Sequence, residues 1–421
     1  MERHPEILYL QYRNALDSVF ESIAITPVRL LVASGVPVRM AILASLPEML
    51  SPRLSGRRRE LKAALRGQLP GRASRLPSLP RRFWGWDDTL LLRLWLRGRY
   101  GDVGPHVVHA SGLGSTRVAL RLRRRFPRMK VVYGMWGLLY AEQMRAAEMS
   151  GRAPAGEPGW EATRREEMAA AAESDAVVCV SEAMKRRVAG DSGVPAERVA
   201  VVPCCVDAQR FGLPTEARAA ARRELGLDGR FVVCFCGTCH PWQLAEASAR
   251  VFRLIRQAEP TAHYLVLTPD VEPMKDAVRK IGVDAAAVTV LSVPHADVPR
   301  CLAAADAGLL LRDQVLMNEV ASPVKFGEYL ASGLPVVASP GIGDVSQQIA
   351  DGGLGVVLDH SGPETHVAEQ LGSWLADYRT RADSWRERCR AFAAKRLSWD
   401  ANIGTLVALY RRLAADAGAS S

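Results

Sequence analysis

The chain has 421 residues, 48% of them hydrophobic, enough to bury two or three sizeable cores. It contains no run of about 18 apolar residues, which excludes an ordinary membrane-spanning helix. Its net charge of +10 favours an anionic partner.

The opening M-E-R-H-P-E-I-L-Y-L lacks the basic-then-apolar pattern of a signal peptide, so a cytoplasmic location is expected. Residues 7–10 read as a strand. An amphipathic helix over about 18–33, ending at Gly35, leads to a second strand over 38–44. Strand, helix and strand with short connections begin a doubly wound sheet. Residues 50–80, rich in Pro, Gly, Ser and Arg, predict a long irregular excursion of the kind that serves as a lid or binding loop. The basic excess concentrates between Arg53 and Arg99, where Glu60, Asp87 and Asp88 are the only acids and Phe83, Trp84, Trp86 and Trp95 are interspersed. Basic residues mixed with aromatics suit nucleic acid or an anionic membrane surface. No nucleic-acid-binding motif accompanies them, so the membrane is the better functional reading, set against a plain solvated Arg-rich face.

Residues 106–110 read as the next strand, and S-G-L-G-S-T leads into a helix over 117–125. Gly112-x-Gly114 is only a fragment of a dinucleotide fingerprint. His109 is expected at the carboxyl end of its strand, where open α/β sheets place ligands; the competing reading is an imidazole hydrogen-bonded beneath the sheet edge. A strand over 130–133 ends in Y-G-M-W-G-L-L-Y-A-E. Glu142 is the nearest carboxylate there for acid–base work, and equally a surface helix residue. A polar helix over 162–174 and a strand over 176–180 precede V-A-V-V-P-C-C-V-D-A-Q-R-F at 199–211.

Strands then follow at 231–236, 263–268, 288–293, 307–311, 335–339 and 355–358, with helical patterns between most of them. That is a second parallel sheet, and its carboxyl ends mark the binding loops. Gly237 permits close backbone approach to a phosphate, with Thr238 and His240 in the same loop. His295 follows the third of these strands and Arg312 the fourth. Cys236-Gly237-Thr238-Cys239-His240 matches a haem-attachment string, but attachment requires export and no second ligand pair is spaced for zinc. Cys234 and Cys236 are therefore read as small hydrophobes of a buried strand.

The stretch 321–340 carries the most chemistry. Ser322 reads as a helix N-cap, Pro323 as the first helical position and Gly333 as the left-handed residue that ends the helix. Phe326 and Leu330 face the core, while Lys325, Glu328 and Ser332 form one polar stripe. A cation in the first turn is disfavoured by roughly 0.3–1 kcal/mol unless an anion binds there. Glu328, one turn on, is placed to accept from hydroxyls attached to that anion. A phosphate followed by a diol describes a nucleotide; the plainer reading is a solvated Lys–Glu pair. From Trp399 a final helix aligns Ile403, Leu406, Val407, Tyr410 and Leu413 on one face.

S-P-x-K-x-x-E-Y-x-A-x-G-x-P-V-V, followed by G-I-G-D at 341–344 and D-G-G-L-G-V at 351–356, closely resembles the donor-binding core of family 4 glycosyltransferases. The resemblance implies an α/β protein of GT-B architecture, with two Rossmann-like doubly wound domains facing a cleft. Domains are expected at 1–205 and 206–394, with a crossover helix and tail at 395–421 returning to the first. It implies retaining transfer from a nucleoside-diphosphate sugar to a glycan, lipid-linked or small-molecule acceptor, with no metal, cofactor or nucleic acid. The work would be done in the cytoplasm or peripherally on the inner face of a membrane. Gly237, Thr238, His240, His295, Arg312, Ser322, Lys325 and Glu328 would hold the donor, and His109 and Glu142 are the catalytic candidates. His295 lies where the nucleobase is usually held.

The chain departs from the family pattern at several points. Gly134 and Trp136 stand where Asp-x-Arg-Gly or a His is common, Pro241 replaces a Lys, and Cys204-Cys205 replaces Asn-Gly. Val320 occupies the place of the first of two glutamates eight apart, with Glu319 one position off. These departures leave open a nucleotide-sugar-binding homologue without transfer and, as a third reading, a sugar-nucleotide epimerase of the same fold.

Overall fold

The computed structural model describes residues 5–12, 20–78, 90–151 and 159–419. Two compact units divide the chain, one of Met1–Pro203 with Asn402–Ser421 and the other of Cys204–Ala401.

The first unit is built on seven strands: β1 (Ile7–Tyr12), β2 (Val38–Ser45), β3 (Ala73–Ser78), β4 (Val107–Ser111), β5 (Lys130–Gly134), β6 (Ala176–Cys179) and β7 (Val199–Val201). Their order is β3-β2-β1-β4-β5-β6-β7, and every pairing is parallel. The chain starts in the middle, winds to one edge, then crosses to the other side. β1 and β4 are therefore covered on both faces, and Ile7, Leu8, Leu10, Val107 and Val108 are fully buried.

The described part of 50–80, residues 50–78, is not an irregular excursion. It forms the helix Ser55–Gln68 and the edge strand β3. The Arg-rich composition hid an apolar stripe, Leu61, Leu65 and Leu69, which is buried at helical spacing. Pro77 is tolerated in β3 because an edge strand need donate on one side only. The helix Leu90–Tyr100 buries Leu92 and Leu96. Phe83, Trp84, Trp86, Asp87, Asp88 and Ser18 lie outside the described residues. The last helix, Trp399–Ala419, buries Leu406, Tyr410 and Leu413, and the Tyr410 hydroxyl lies 2.8 Å from His109 Nδ1, so this segment packs on the first unit.

The second unit repeats the plan with β8 (Val232–Cys236), β9 (His263–Leu267), β10 (Val288–Leu291), β11 (Ala307–Leu310), β12 (Val336–Ala338) and β13 (Gly355–Val357), ordered β10-β9-β8-β11-β12-β13. Alternate residues of β8 serve opposite layers. Cys234 and Cys236 pack with Tyr329 and Leu330, whereas Val233 and Phe235 pack with Phe252 and Tyr264.

At the amino edge of this sheet sits a buried charge centre. The Asp306 carboxylate takes Arg218 at 2.7 Å, Arg222 at 3.2 Å and Arg386 at 3.5 Å, and accepts from Val232 N at 2.8 Å and the Tyr378 hydroxyl at 3.3 Å. The same arginines donate to the carbonyls of Ala303, Ala304 and Ala305 where the helix Val298–Ala303 ends. Asp306→Ala would leave these guanidiniums without their counter-charge, a loss of about 3–5 kcal/mol for a buried ion pair. Denaturant unfolding should show a drop of that size; a variant as stable as the parent would contradict this assignment.

Candidate functional site

In a doubly wound sheet the carboxyl ends of the strands on either side of the reversal leave a crevice. In the second unit those strands are β8 and β11. The loop after β8 is a closed clip. Gln243 Nε2 donates to Thr238 Oγ1 at 2.7 Å, and a Cβ on Gly237 would lie 2.5 Å from Gln243 Oε1, so the side-chain-free Cα makes room for the clip itself. Cys239 N donates to Asp270 Oδ2 at 2.8 Å. His240 is exposed and stacks on Trp242 with ring centroids 4.6 Å apart. Leu244, just after the turn Pro241–Gln243, holds a left-handed φ of 51°, a strained conformation for a residue with a Cβ. Asp313 N donates to Trp242 O at 3.2 Å, tying this loop to the one after β11.

Arg312 sits in that second loop, half-buried. Its backbone is locked to Ser339, whose hydroxyl accepts from Arg312 N at 2.8 Å and donates to Arg312 O at 3.0 Å. Burial pulls the guanidinium down to about 10, still charged at neutral pH.

The helix Val324–Ala331 closes the site. Pro323, not Ser322, is its N-cap, and no side chain caps it. The Ser322 hydroxyl instead accepts from Cys204 N at 3.2 Å, a tether to the start of the unit that takes its oxygen from the helix amides. Gly333 ends the helix as expected, with φ 78°. Leu334 N bonds back to Tyr329 O and Gly333 N to Leu330 O, both at 2.9 Å, which is a Schellman turn. Phe326 and Leu330 are core residues; Ser332 is also fully buried and not part of an exposed polar face. Tyr329 seats the helix on the sheet. Its hydroxyl accepts from Cys236 N at 2.8 Å and donates to Leu309 O at 3.3 Å, and Gly308 leaves room for its ring.

Seated this closely, Glu328 is only 2% exposed. Lys325 Nζ lies 3.0 Å from its Oε2, and His295 Nε2 lies 3.5 Å from its Oε1. Burial alone would raise the Glu328 carboxyl, but Lys325 and His295 outweigh it and hold the group below the ordinary carboxylate range. Lys325, opposed by the same burial, is raised by Glu328 and by the Cys236 thiol. The pair is thus charged and desolvated, not the solvated pair that an isolated helix would present. His295 is in turn held by Arg210, whose Nη2 lies 3.1 Å from Nδ1 and 2.8 Å from the His295 carbonyl. Val320 is buried in the core and Glu319 is exposed, so neither supplies a second carboxylate beside Glu328.

The two catalytic candidates belong to the other unit. His109 lies inside β4 rather than at its end. It is 1% exposed, stacked on Tyr9 with centroids 4.8 Å apart and hydrogen-bonded to Tyr410. This is the position beneath the sheet edge, and burial pulls the imidazole down to about 3, so it is neutral at working pH. A Cβ on Gly134 would lie 2.6 Å from His109 Nε2, which gives the departure at that position a steric reason. Trp136 donates from Nε1 to Ser111 Oγ at 2.9 Å. Glu142 is exposed in the first turn of Leu139–Ser150. The carboxylate that serves this helix start is the buried Glu167, which accepts from Tyr140 N at 2.9 Å and Leu139 N at 3.2 Å. Sequence reading missed Glu167, Asp306 and Arg210. All three act across long stretches of chain and look like ordinary surface charges in their local patterns.

Comparison with known proteins agrees with this architecture. The family model described as Glycosyltransferase Family 4 matches residues 28–210, and that of Glycosyl transferases group 1 matches residues 217–396. The chain belongs to glycosyltransferase family 4. This glycosyltransferase is 26% identical over 233 residues to a GDP-mannose-dependent alpha-(1-6)-phosphatidylinositol monomannoside mannosyltransferase of Mycolicibacterium smegmatis, a match spanning 52% of this chain and 60% of that relative. Its structure superposes on Anabaena Alr3699/HepE in complex with UDP and glucose with a TM-score of 0.69 at 15% identity, covering 99% and 100% of the two chains. WaaG, a glycosyltransferase involved in lipopolysaccharide biosynthesis, gives 0.65 at 15% identity, covering 96% and 99%. The fold is GT-B, and the enzyme is a glycosyltransferase.

Removing Lys325 as Lys325→Met leaves a buried carboxylate with one weak partner and should cost about 3–5 kcal/mol, part of which Glu328→Gln in the same chain restores. The Glu328 carboxyl is depressed in the folded state, so its contribution is full above the ordinary glutamate range. It is lost as pH falls through the lower folded value. Acid unfolding of wild type should therefore be steeper in that window than that of Glu328→Gln, and identical profiles would contradict the pairing.

Proposed function

We propose that the enzyme transfers a sugar, with retention, from a nucleoside-diphosphate sugar held by the second unit to a hydroxyl of a glycan or glycolipid. The observation that carries this reading is the buried Glu328 carboxylate, charged and pinned between Lys325 and His295 on the helix that Tyr329 seats against β8 and β11. Each carboxylate oxygen retains lone-pair capacity, which suits it to accept from the two hydroxyls of a ribose. The amides that open Val324–Ala331, one turn before Glu328, and the charged Arg312 in the loop after β11 supply positive potential that suits a diphosphate. Transfer breaks the bond between the sugar's anomeric carbon and the diphosphate oxygen and makes one to the acceptor oxygen, whose proton leaves. Charge growing on the leaving phosphate is what fixed donors in a dry crevice stabilise most. Retention rests on the family resemblance. UDP in the solved neighbour and GDP-mannose in the curated relative are the two donor classes to test first.

Calorimetric titration with UDP and GDP should give saturable binding of at least one. Glu328→Ala should weaken it by about 10- to 100-fold, the value of hydrogen bonds to a charged group. A folded Glu328→Ala chain that binds as tightly as wild type would overturn the reading. Nucleotide binding without sugar transfer to any lipid or glycan fraction would reduce the proposal to nucleotide-sugar recognition.

An anionic membrane surface is the proposed partner of the basic helix. Arg57, Arg59, Lys62 and Arg66 of Ser55–Gln68 are exposed, and Leu50, just before it, is 72% exposed. The lipid acceptor in the curated relative's name supports the same reading. Each basic side chain near such a surface contributes about 1 kcal/mol. Replacing Arg57, Arg59 and Lys62 by Ser should move the protein out of the floating fraction with phosphatidylserine-containing liposomes; equal recovery would argue against the contact.

A further inference from the structure

We propose that His295, oriented by Arg210, is a positioning residue that fixes the rotation of the Glu328 carboxylate for a ligand diol. The inference rests on the reading of Glu328 given above and adds two residues to it.

A guanidinium can only donate. With Arg210 Nη2 3.1 Å from His295 Nδ1, that ring nitrogen must be the acceptor, and in the neutral imidazole the hydrogen is then on Nε2. Nε2 faces Glu328 Oε1 at 3.5 Å. Arg210 also donates to the His295 carbonyl at 2.8 Å, so one guanidinium fixes both the ring and the backbone of the loop after β10. Arg210 itself is set by the short helix Ala208–Phe211, where Asp207 Oδ1 accepts from Arg210 N at 3.1 Å.

The need for a second contact follows from the torsion it restrains. The last torsion of a glutamate is a broad, roughly two-fold rotor. Lys325 holds Oε2 at 3.0 Å and leaves Oε1 free to swing about that anchor. His295 takes Oε1 from the other side. Held at both oxygens, the carboxylate keeps its plane, and with it the remaining lone pairs, in one orientation, which suits it to accept two hydroxyls of one ribose together. The segment 206–211 and the loop bearing His295, 85 positions apart at Arg210 and His295, are thereby parts of one device.

The test uses the full chain with UDP, GDP and inorganic pyrophosphate as probes. Nitrogen-15 histidine spectra should show His295 as the Nε2–H tautomer, and Arg210→Met should weaken that preference, leaving only the Glu328 contact to favour it. His295→Leu should weaken the better-binding nucleoside diphosphate by about three- to tenfold, the value of one hydrogen bond. His295→Gln, whose amide can still donate to Oε1, should recover most of it. Pyrophosphate, which has no ribose, should bind both variants and wild type alike, whereas a general loss of site structure would weaken it too. Wild-type nucleotide affinity in His295→Leu, alongside its loss in Glu328→Ala, would overturn this inference and leave the donor-site reading standing. Retention in both variants would overturn that reading itself. Equal losses for pyrophosphate and nucleotide, or an Nδ1–H tautomer in wild type, would also refute the positioning role.

Discussion

A carboxylate removed from water must be answered by cations and donors, and that constraint on Glu328 organises the second unit. The group is buried because Tyr329, the next residue, anchors its helix to β8 and β11, and because Gly308 lets the aromatic ring lie against the sheet. Once buried, the carboxylate needs Lys325 from its own helix and His295 from another loop. Lys325 is a poor residue for a first turn when considered alone. Its place is explained by the buried charge it faces.

The unit separates its charges between the two edges of one sheet. At the amino edge, Asp306 gathers three arginines and the carbonyls at a helix end, an arrangement in which nearly every polar group already has a protein partner. At the carboxyl edge, Glu328 and Arg312 keep hydrogen-bonding capacity in reserve. Parallel sheets produce this division, since all strands enter at one edge and all binding loops leave from the other. In the first unit Glu167 behaves like Asp306: it is buried and committed to the amides of a helix start.

His109 and Gly134 show how packing can change what a motif means. A histidine on a central strand is open to a catalytic reading, and a glycine at the next strand's end looks like a lost polar group. In the folded chain the two answer each other, because the imidazole occupies the space a side chain at 134 would need. Tyr410, from the last helix, takes the other ring nitrogen. The outcome depends on residues 25 and 301 positions from His109, beyond the reach of any local pattern.

The sequence alone determined the family, the two parallel sheets, the helix ended by Gly333 and the pairing of Lys325 with Glu328. Those features are written in short-range periodicity, turn residues and spacing, which the local backbone obeys. It misled over residues 50–78, where abundant arginine masked a three-leucine stripe, and over Ser322, whose hydroxyl serves Cys204 instead of the helix. Tertiary structure alone decided which charges are buried and who faces them. Arg210 reaches His295, Gln243 fills the space beside Gly237, and three arginines meet Asp306 because the winding of the sheet brings them together. Desolvation and long-range pairing arise only once the layers close, so no window of sequence carries them.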